Sequence, residues 1–261
     1  MNFLIVMSAS LVALVAVHSV AFFVGYRIGR YNVVDVAWGL GFLAVALVCA
    51  GFGSGDLTRR LLLLGLIGIW AGRLSWHMAV KSAGKGEDLR YRDLLGDDFS
   101  VPHVLRKIFV IQAAATWLVS VPIQRSAVEG PTPEVLQPVL AAGITLWIIG
   151  MVFEGVGDYQ LRRFKQDPAN KNKVMDRGLW AWTRHPNYFG DSCVWWGLWL
   201  ITITGWQSLA TLPYPVLMTY FLVHATGGRR TEKVMAGRPG FEDYQRRVSF
   251  FLPRPPKRGS P

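Results

Sequence analysis

The sequence predicts an all-α membrane protein, a multi-pass transmembrane helical bundle of about seven helices. The chain is 51% hydrophobic and only 17% charged, whereas a typical soluble domain has about 25% charged residues. Its mean hydropathy is +0.28. The charges are also confined to separate stretches, which a bilayer imposes because charged and unpaired polar groups are costly in hydrocarbon.

Seven apolar segments are candidate spans, since a transmembrane helix needs about 20 predominantly apolar residues. They cover residues 3–24, 33–52, 61–80, 108–123, 135–153, 193–204 and 209–224. The first has no basic region before it and no small-residue cleavage site, so we expect a retained span and not a signal peptide. Only residues 205–208 separate the last two, which predicts a helical hairpin.

The distribution of Lys and Arg predicts the orientation. With the N-terminus outside, 24 of the 28 basic residues fall in cytoplasmic loops or the tail, and three (Arg59, Arg60 and Arg125) fall outside. The positive-inside rule therefore predicts a cytoplasmic C-terminus and a location in the cell membrane, as in a bacterial inner membrane. The net charge of +11 then reflects topology and attraction to membrane lipids, and we expect no nucleic-acid partner.

The domain organisation follows from the spread of apolar segments along the whole chain. We expect one integral membrane domain over residues 1–252 and a disordered tail, rich in Pro and basic residues, over 253–261. Cys49 and Cys193 lie in apolar segments. They offer neither a disulfide framework nor metal-ligand spacing, so we expect no metal site.

Polar residues at the start of the second span and in the loop after the third are candidate functional groups. Asp35 could be a helix-start carboxylate, a partner of Arg73, or an acid that faces a cavity. The loop over residues 85–93 is dense in charge and contains Tyr91. It could be solvated, or it could close over a site at the membrane surface.

A polar stripe follows the fifth span into the cytosol. Glu154, Asp158, Arg162 and Lys165 are spaced by four, four and three residues, so they share one face of a helix. The stripe could be a ladder of ion pairs, each of which contributes only tenths of a kcal/mol. Because Glu154 lies where an unpaired carboxylate is costly, we favour a polar groove.

A cluster of polar types surrounds the predicted start of the sixth span. Arg184 and His185 precede Pro186, which suits the first turn of a helix. Asn187 and Asp191 follow at i and i+4 and share a face. A cation, an imidazole and free helix N–H groups together suit a phosphate or pyrophosphate. The alternative is an ordinary capped helix with interfacial aromatic residues.

These segments together resemble the steroid 5-alpha-reductase superfamily, in its uncharacterised bacterial branch of reductase-like membrane proteins. The resemblance covers nearly the whole chain. It is carried by residues 33–39 (VVDVAWG), 73–74 (RL), 86–91 (GEDLRY), 177–191 (RGLWAWTRHPNYFGD) and 241–244 (FEDY). It implies a seven-helix fold that binds NADPH from the cytoplasmic side. The implied reaction reduces a C=C bond conjugated to a carbonyl in a lipophilic substrate that enters from the bilayer.

The resemblance and the polar cluster also imply roles for individual residues. The implied cofactor contacts are Glu154, Asp158, Arg162, Lys165, Lys173, Arg184, His185, Asn187, Tyr188, Asp191, Glu232 and Tyr244. The implied catalytic group is either a protonated Asp35 or Tyr91, which would donate a hydrogen bond to the substrate carbonyl. Glu154 replaces an Asn of the steroid enzymes, and Lys165 and Lys173 replace Arg, which keeps the charge but loses the bidentate fork.

Two other functions remain open. One is an S-adenosylmethionine-dependent membrane methyltransferase of the isoprenylcysteine or phospholipid type. Such enzymes share an Arg-His-Pro-x-Tyr block that resembles residues 184–188, but they place paired Glu residues near the tail, where this chain has Glu232 alone. The other is a non-catalytic lipid-binding protein. For the reductase, steroid, isoprenoid and fatty acyl substrates all fit, and the oligomeric state stays open.

Overall fold

The fold is helical throughout the part of the chain that the computed structural model describes, residues 3–225 and 227–256, apart from loops and one isolated bridge between Thr183 and Ser249. The α-helices are α1 (Phe3–Ile28), α2 (Val34–Phe52), α3 (Leu57–Ser82), α4 (Leu89–Leu95), α5 (Val101–Val104), α6 (Ile111–Val119), α7 (Val121–Ser126), α8 (Gln137–Gln166), α9 (Pro186–Ile201), α10 (Pro213–Tyr220), α11 (Gly228–Met235) and α12 (Phe241–Arg247). Two π-helical segments, Leu105–Val110 and Phe221–Ala225, and four short 3₁₀ segments lie between them.

Four helices are long and apolar enough to cross a membrane, which confirms the predicted all-α, multi-pass fold class. They are α1, α2, α3 and α8, the last extended at its start by the 3₁₀ turn Glu134–Leu136. Each begins and ends within a few residues of its predicted span, except that α8 continues 13 residues beyond Phe153. This extension places the whole polar stripe from Glu154 to Lys165 on one continuous helix. The orientation in the membrane stays a prediction.

The other three predicted spans are built from shorter helical segments. The fourth falls within the π-helix Leu105–Val110, α6 and α7. The sixth corresponds to α9, and the seventh to α10 with the π-helix that continues it. Ser192 and Trp196 of α9 both hydrogen-bond the Thr219 hydroxyl of α10, at 2.8 and 3.0 Å. These two helices therefore pack together, as the predicted hairpin requires.

The chain divides into two compact units. The first comprises residues 1–137 and 202–214, and the second comprises residues 138–201 and 215–261. A single domain over residues 1–252 stays a prediction. Of the predicted tail, residues 257–261 lie outside the described part of the chain. Before them, the Arg254 N–H donates to the carbonyl of Trp182 at 2.9 Å, which ties the chain to the second unit.

In the first unit, α2 packs closely on α3. The Ser75 hydroxyl donates to the carbonyl of Val36 at 2.9 Å. A Cβ on Gly39 would lie 2.6 Å from the Ser75 oxygen, so only glycine permits this approach. At the opposite end of these helices, the buried Arg59 guanidinium donates to Ser126, Glu129 and Thr132. These bonds tie the start of α3 to the loop after α7.

In the second unit, a seam of glycines brings α8 and α9 into backbone contact. Gly143, Gly150 and Gly157 recur every seven residues on α8, and Gly190 and Gly197 do so on α9. A Cβ on Gly150 would lie 2.5 Å from the carbonyl oxygen of Gly190, and a Cβ on Gly197 would lie 2.6 Å from that of Gly143. Small residues at such spacing let transmembrane helices approach closely. The seam fixes which α8 side chains meet the start of α9.

Candidate functional site

Asp35, Arg90 and Tyr91 form a hydrogen-bonded cluster in the first unit. The Tyr91 hydroxyl donates to one oxygen of Asp35 at 2.6 Å, and the Arg90 guanidinium binds the other oxygen at 2.6 Å. The structure thus brings together the two residues assigned to catalysis, which are 56 positions apart in the chain. The loop of residues 85–91 lies against the start of α2. This agrees with a loop that closes over a site more than with a fully solvated loop.

Two acidic residues hold this loop in place. Asp88 caps α4 by accepting from the Arg90 N–H at 2.8 Å, and it also binds the Arg90 guanidinium at 3.0 Å. The Glu87 carboxylate accepts from the backbone N–H groups of Tyr31 and Asn32, which precede α2. Glu87 therefore fixes the loop to the start of α2, while Asp88 orients Arg90 toward Asp35.

The geometry favours Tyr91 as the hydrogen-bond donor of this cluster. Both oxygens of Asp35 accept hydrogen bonds, one from the Tyr91 hydroxyl and the other from the Arg90 guanidinium. Burial raises the pKa of the Tyr91 phenol well above its ordinary value, and the interaction with Asp35 raises it further. Tyr91 therefore keeps its proton at neutral pH and can donate it in a hydrogen bond.

In the second unit, the glycine seam joins the polar stripe of α8 to the start of α9. The Asn187 amide donates to the Asp158 carboxylate at 3.1 Å. One turn earlier on α8, the backbone of Glu154 lies against Gly190, where an added Cβ would sit 2.5 Å from the Glu154 nitrogen. Asp191 is buried on the same helix as Asn187. The side chains whose convergence the sequence predicts thus lie along one helix pair.

The members of this group differ in exposure. Glu154, Asp158 and Asp191 are buried, with 3%, 9% and 8% of their surface exposed. The basic residues assigned to the cofactor are exposed to solvent: Arg162, Lys165 and Lys173. The half-buried Tyr188 stacks on the His185 ring, with 5.6 Å between centroids. Buried acids and an amide at one end, with exposed basic side chains along the same helix and the following loop, suit a ligand that has both hydroxyl and phosphate groups.

Arg184 and His185 bind Glu232 in the structure. The Arg184 Nε donates to Glu232 at 2.6 Å, and the His185 Nε2 lies 3.2 Å from the same oxygen. A second Arg184 nitrogen donates to the carbonyls of Gln245 and Val248. Burial alone would raise the pKa of Glu232, but the hydrogen bonds from His185, Arg184 and Gln245 and the charge of Arg184 lower it to about 2. A role for these residues in binding the cofactor stays a prediction, and an anion there would compete with Glu232.

Tyr244 also has a partner within the protein. Its hydroxyl donates to the carbonyl of Trp180 at 2.6 Å, and burial raises its pKa. The Trp180 indole in turn donates to the carbonyl of Gly157 on α8 at 3.0 Å. The Thr183 hydroxyl donates to the carbonyl of Phe251, beyond α12, at 2.8 Å. These bonds anchor α12 and the residues after it to the segment that leads into α9.

The sequence did not single out several residues that shape these clusters. Gln160 accepts from the Leu179 N–H at 3.0 Å and contacts Gly178, whose φ of +60° favours glycine. Gln245 donates to Glu232 at 2.9 Å. The seven-residue spacing of glycines on α8 and α9 was the one visible signal of this packing. Among residues 3–225 and 227–256, no three His, Cys, Asp or Glu side chains are placed to hold a metal ion.

Three relatives of known name show sequence similarity to parts of the chain. The protein is 25% identical to 3-oxo-5-alpha-steroid 4-dehydrogenase 1 of Mus musculus over 119 residues, which is 46% of this chain and 44% of the mouse protein. The Rattus norvegicus protein of the same name is 24% identical over 119 residues. The probable O-methyltransferase ustE of Ustilaginoidea virens is 41% identical over 51 residues, 20% of this chain and 18% of that protein. The chain thus spans less than half the length of each, and no solved structure matches.

The fold and the buried polar clusters define a multi-pass helical membrane protein. Residues 21–248 match the family described as "Protein of unknown function (DUF1295)". The chain therefore belongs to the DUF1295 family, which is part of the steroid 5-alpha-reductase-like superfamily. This confirms the resemblance on which the residue assignments rest, and the distant similarity to a steroid reductase indicates an enzyme.

Proposed function

We propose that the protein is an NADPH-dependent membrane reductase that transfers a hydride to the C=C bond of a lipophilic enone or enoyl substrate. The observation that carries this proposal is the hydrogen bond between Asn187 and Asp158 across the glycine seam. It joins Asn187, a cofactor contact that the resemblance implies, to Asp158 in the polar stripe of α8. The similarity to two steroid reductases over 46% of the chain supports the same reaction class.

The polar and basic side chains of the second unit have the chemistry that NADPH needs. The exposed Arg162, Lys165 and Lys173 would bind phosphate groups, because cations and phosphate oxygens form strong charge-assisted hydrogen bonds. The buried Asp158 and the half-buried Asn187 would bind ribose hydroxyls or the carboxamide, which need both an acceptor and a donor. When bound, NADPH supplies the hydride. The protein supplies orientation and exclusion of water.

In the first unit, Tyr91 would act on the substrate carbonyl. Negative charge develops on that oxygen during the reduction, and a positioned donor stabilises it. Tyr91 is protonated and held by Asp35, so it would exchange its bond to Asp35 for one to the carbonyl. Arg90 would hold Asp35 in place during this exchange. Lipophilic substrates would reach the protein from the bilayer, in the bacterial inner membrane.

A membrane methyltransferase that uses S-adenosylmethionine is the second candidate. The 41% identity to a probable O-methyltransferase over 51 residues favours it. Arg184 and His185 belong to the block that resembles these methyltransferases, and they bind Glu232. Such enzymes place paired Glu residues near the tail, however, where this chain has Glu232 alone. The similarity is confined to 20% of the chain, and it gives no role to Asp35, Arg90 and Tyr91. We therefore place it second.

Protection against heat distinguishes the two functions. A ligand that binds only the folded protein stabilises it by about 2.7 kcal/mol at a hundredfold excess over its Kd. We expect NADPH to raise the thermal unfolding midpoint of the detergent-purified protein and S-adenosylmethionine to leave it unchanged. The reverse result would support the methyltransferase. Protection by neither ligand would support a lipid-binding protein without this chemistry.

A further inference from the structure

A cavity of about 360 Å³ lies where α1 ends, apart from the residues assigned above to the cofactor or to catalysis. Its lining comprises Gly29, Tyr31, Glu87, Arg92, Gly96 and Phe99. The volume is within the range of about 300–1,000 Å³ that is typical of small-molecule sites. The 26 residues of α1 extend for about 39 Å, which exceeds the hydrocarbon thickness of about 30 Å. The helix is therefore long enough for its end, where the cavity lies, to reach the lipid headgroups.

The cavity presents one cation and one anion. Arg92 is exposed, and its side chain makes no ion pair with any residue in the described ranges. Arg30, just after α1, is engaged by the carbonyls of Ser82 and Lys85, and Arg27 in the last turn of α1 lies over the Phe23 ring. Glu87 supplies the negative charge, and backbone N–H groups hold its carboxylate in place. A cation and an anion that line one cavity favour a ligand that itself carries both charges.

The aromatic residues of the cavity suit an ammonium group. Tyr31 is held by its stacking on Phe22 and its edge contact with Phe109, so its ring is fixed. Phe99 is 48% exposed and free to contact a ligand. Ammonium and quaternary ammonium groups bind the faces of such rings. The positive φ at Gly29 and Gly96, with nothing within 4 Å of a Cβ built at either residue, leaves the space between them open.

From these features we infer that the cavity binds the headgroup of a zwitterionic phospholipid. Arg92 binds the phosphate, because a guanidinium forms bidentate hydrogen bonds with phosphate oxygens. Glu87 and the rings of Tyr31 and Phe99 receive the ammonium group. The acyl chains then lie along the exposed apolar residues near the end of α1, such as Phe23, Val24 and Ile28. This site is independent of the redox chemistry proposed above.

Competitive lipid retention tests this site. The full-length protein would be purified in detergent, incubated with equal amounts of phosphatidylethanolamine and phosphatidylglycerol of identical acyl chains, and analysed by native mass spectrometry. We expect the wild type to retain phosphatidylethanolamine over phosphatidylglycerol. Arg92→Gln should lower retention of phosphatidylethanolamine by about 10- to 100-fold, since a charge-assisted bond contributes about 1.5–3 kcal/mol and each 1.4 kcal/mol is tenfold. Phe99→Ala should lower it a few-fold.

Arg106→Gln is the matched control, because Arg106 is also an exposed arginine of the first unit but does not line the cavity. It should retain phosphatidylethanolamine as the wild type does. Arg92, Phe99 and Arg106 are all exposed, so their substitutions should leave the thermal unfolding midpoint unchanged. Preferential retention of phosphatidylglycerol, or an equal loss in Arg92→Gln and Arg106→Gln, would overturn the inference and indicate a diffuse basic surface.

Discussion

Replacing Gly190 with alanine is expected to lower the free energy of unfolding by about 3 kcal/mol, at the upper end of the usual cost of overpacking. The new Cβ would lie 2.5 Å from both the nitrogen of Glu154 and the carbonyl oxygen of Gly150. These are backbone atoms, so α8 and α9 would have to separate. Gly150→Ala should have a similar effect, because its Cβ would meet the backbone of Gly190 and Val194.

Gly155 offers the control on the same helix. A Cβ built there has nothing within 4 Å, so Gly155→Ala should be neutral or stabilise α8 by up to about 1 kcal/mol. The thermal unfolding midpoint of each purified variant would be compared with that of the wild type. Equal midpoints for Gly190→Ala and Gly155→Ala would mean that the two helices do not pack through glycine.

Tyr91→Phe is expected to lower kcat by about 10²–10³, the usual cost of removing one donor to a developing oxyanion. The measurement is NADPH consumption with whichever steroid, isoprenoid or fatty acyl enone the wild type reduces fastest. The Kd for NADPH should not change, because Tyr91 is not among the residues that we propose to bind it. The substitution also removes a hydrogen bond to Asp35, so a loss of stability of about 1 kcal/mol should accompany it.

Asp35→Asn tests whether Asp35 is itself the catalytic group or only positions Tyr91. It keeps the shape of the side chain but loses the charge that binds Arg90. If Asp35 acts by positioning Tyr91, this variant should lose less activity than Tyr91→Phe. A larger loss in Asp35→Asn than in Tyr91→Phe would instead make Asp35 the catalytic group.

Hydropathy was sufficient to predict the membrane-spanning helices because a span needs only a local run of apolar residues. α1, α2 and α3 accordingly lie close to their predicted positions. The region of the fourth predicted span was harder, because the π-helix Leu105–Val110 has no distinct sequence signal. It carries Ile108 and Phe109 into the cluster that surrounds Tyr31 and Tyr91, so the irregular turn itself contributes to the site.

Pairings between distant residues could be predicted only in part. The stripe from Glu154 to Lys165 follows from helical spacing alone, and so does the shared face of Asn187 and Asp191. Which helices contact each other depends on packing between distant segments. For α8 and α9, the sequence feature that indicates this contact is the seven-residue spacing of their glycines. The partner of Asp35 illustrates the limit. Arg73 is the one partner for Asp35 that the sequence suggests, whereas the structure shows bonds to Asp35 from Arg90 and Tyr91 of α4.

The central claim is that the polar residues joined across α8 and α9 bind NADPH. The most direct test is a titration of the purified protein with NADPH, followed by the quenching of tryptophan fluorescence, for wild type, Asn187→Ala and the exposed control Gln166→Ala. We predict saturable binding to the wild type and to Gln166→Ala, and no saturable binding to a folded Asn187→Ala over the same concentrations. An unchanged Kd in Asn187→Ala, or no binding of NADPH to the wild type, would contradict this account.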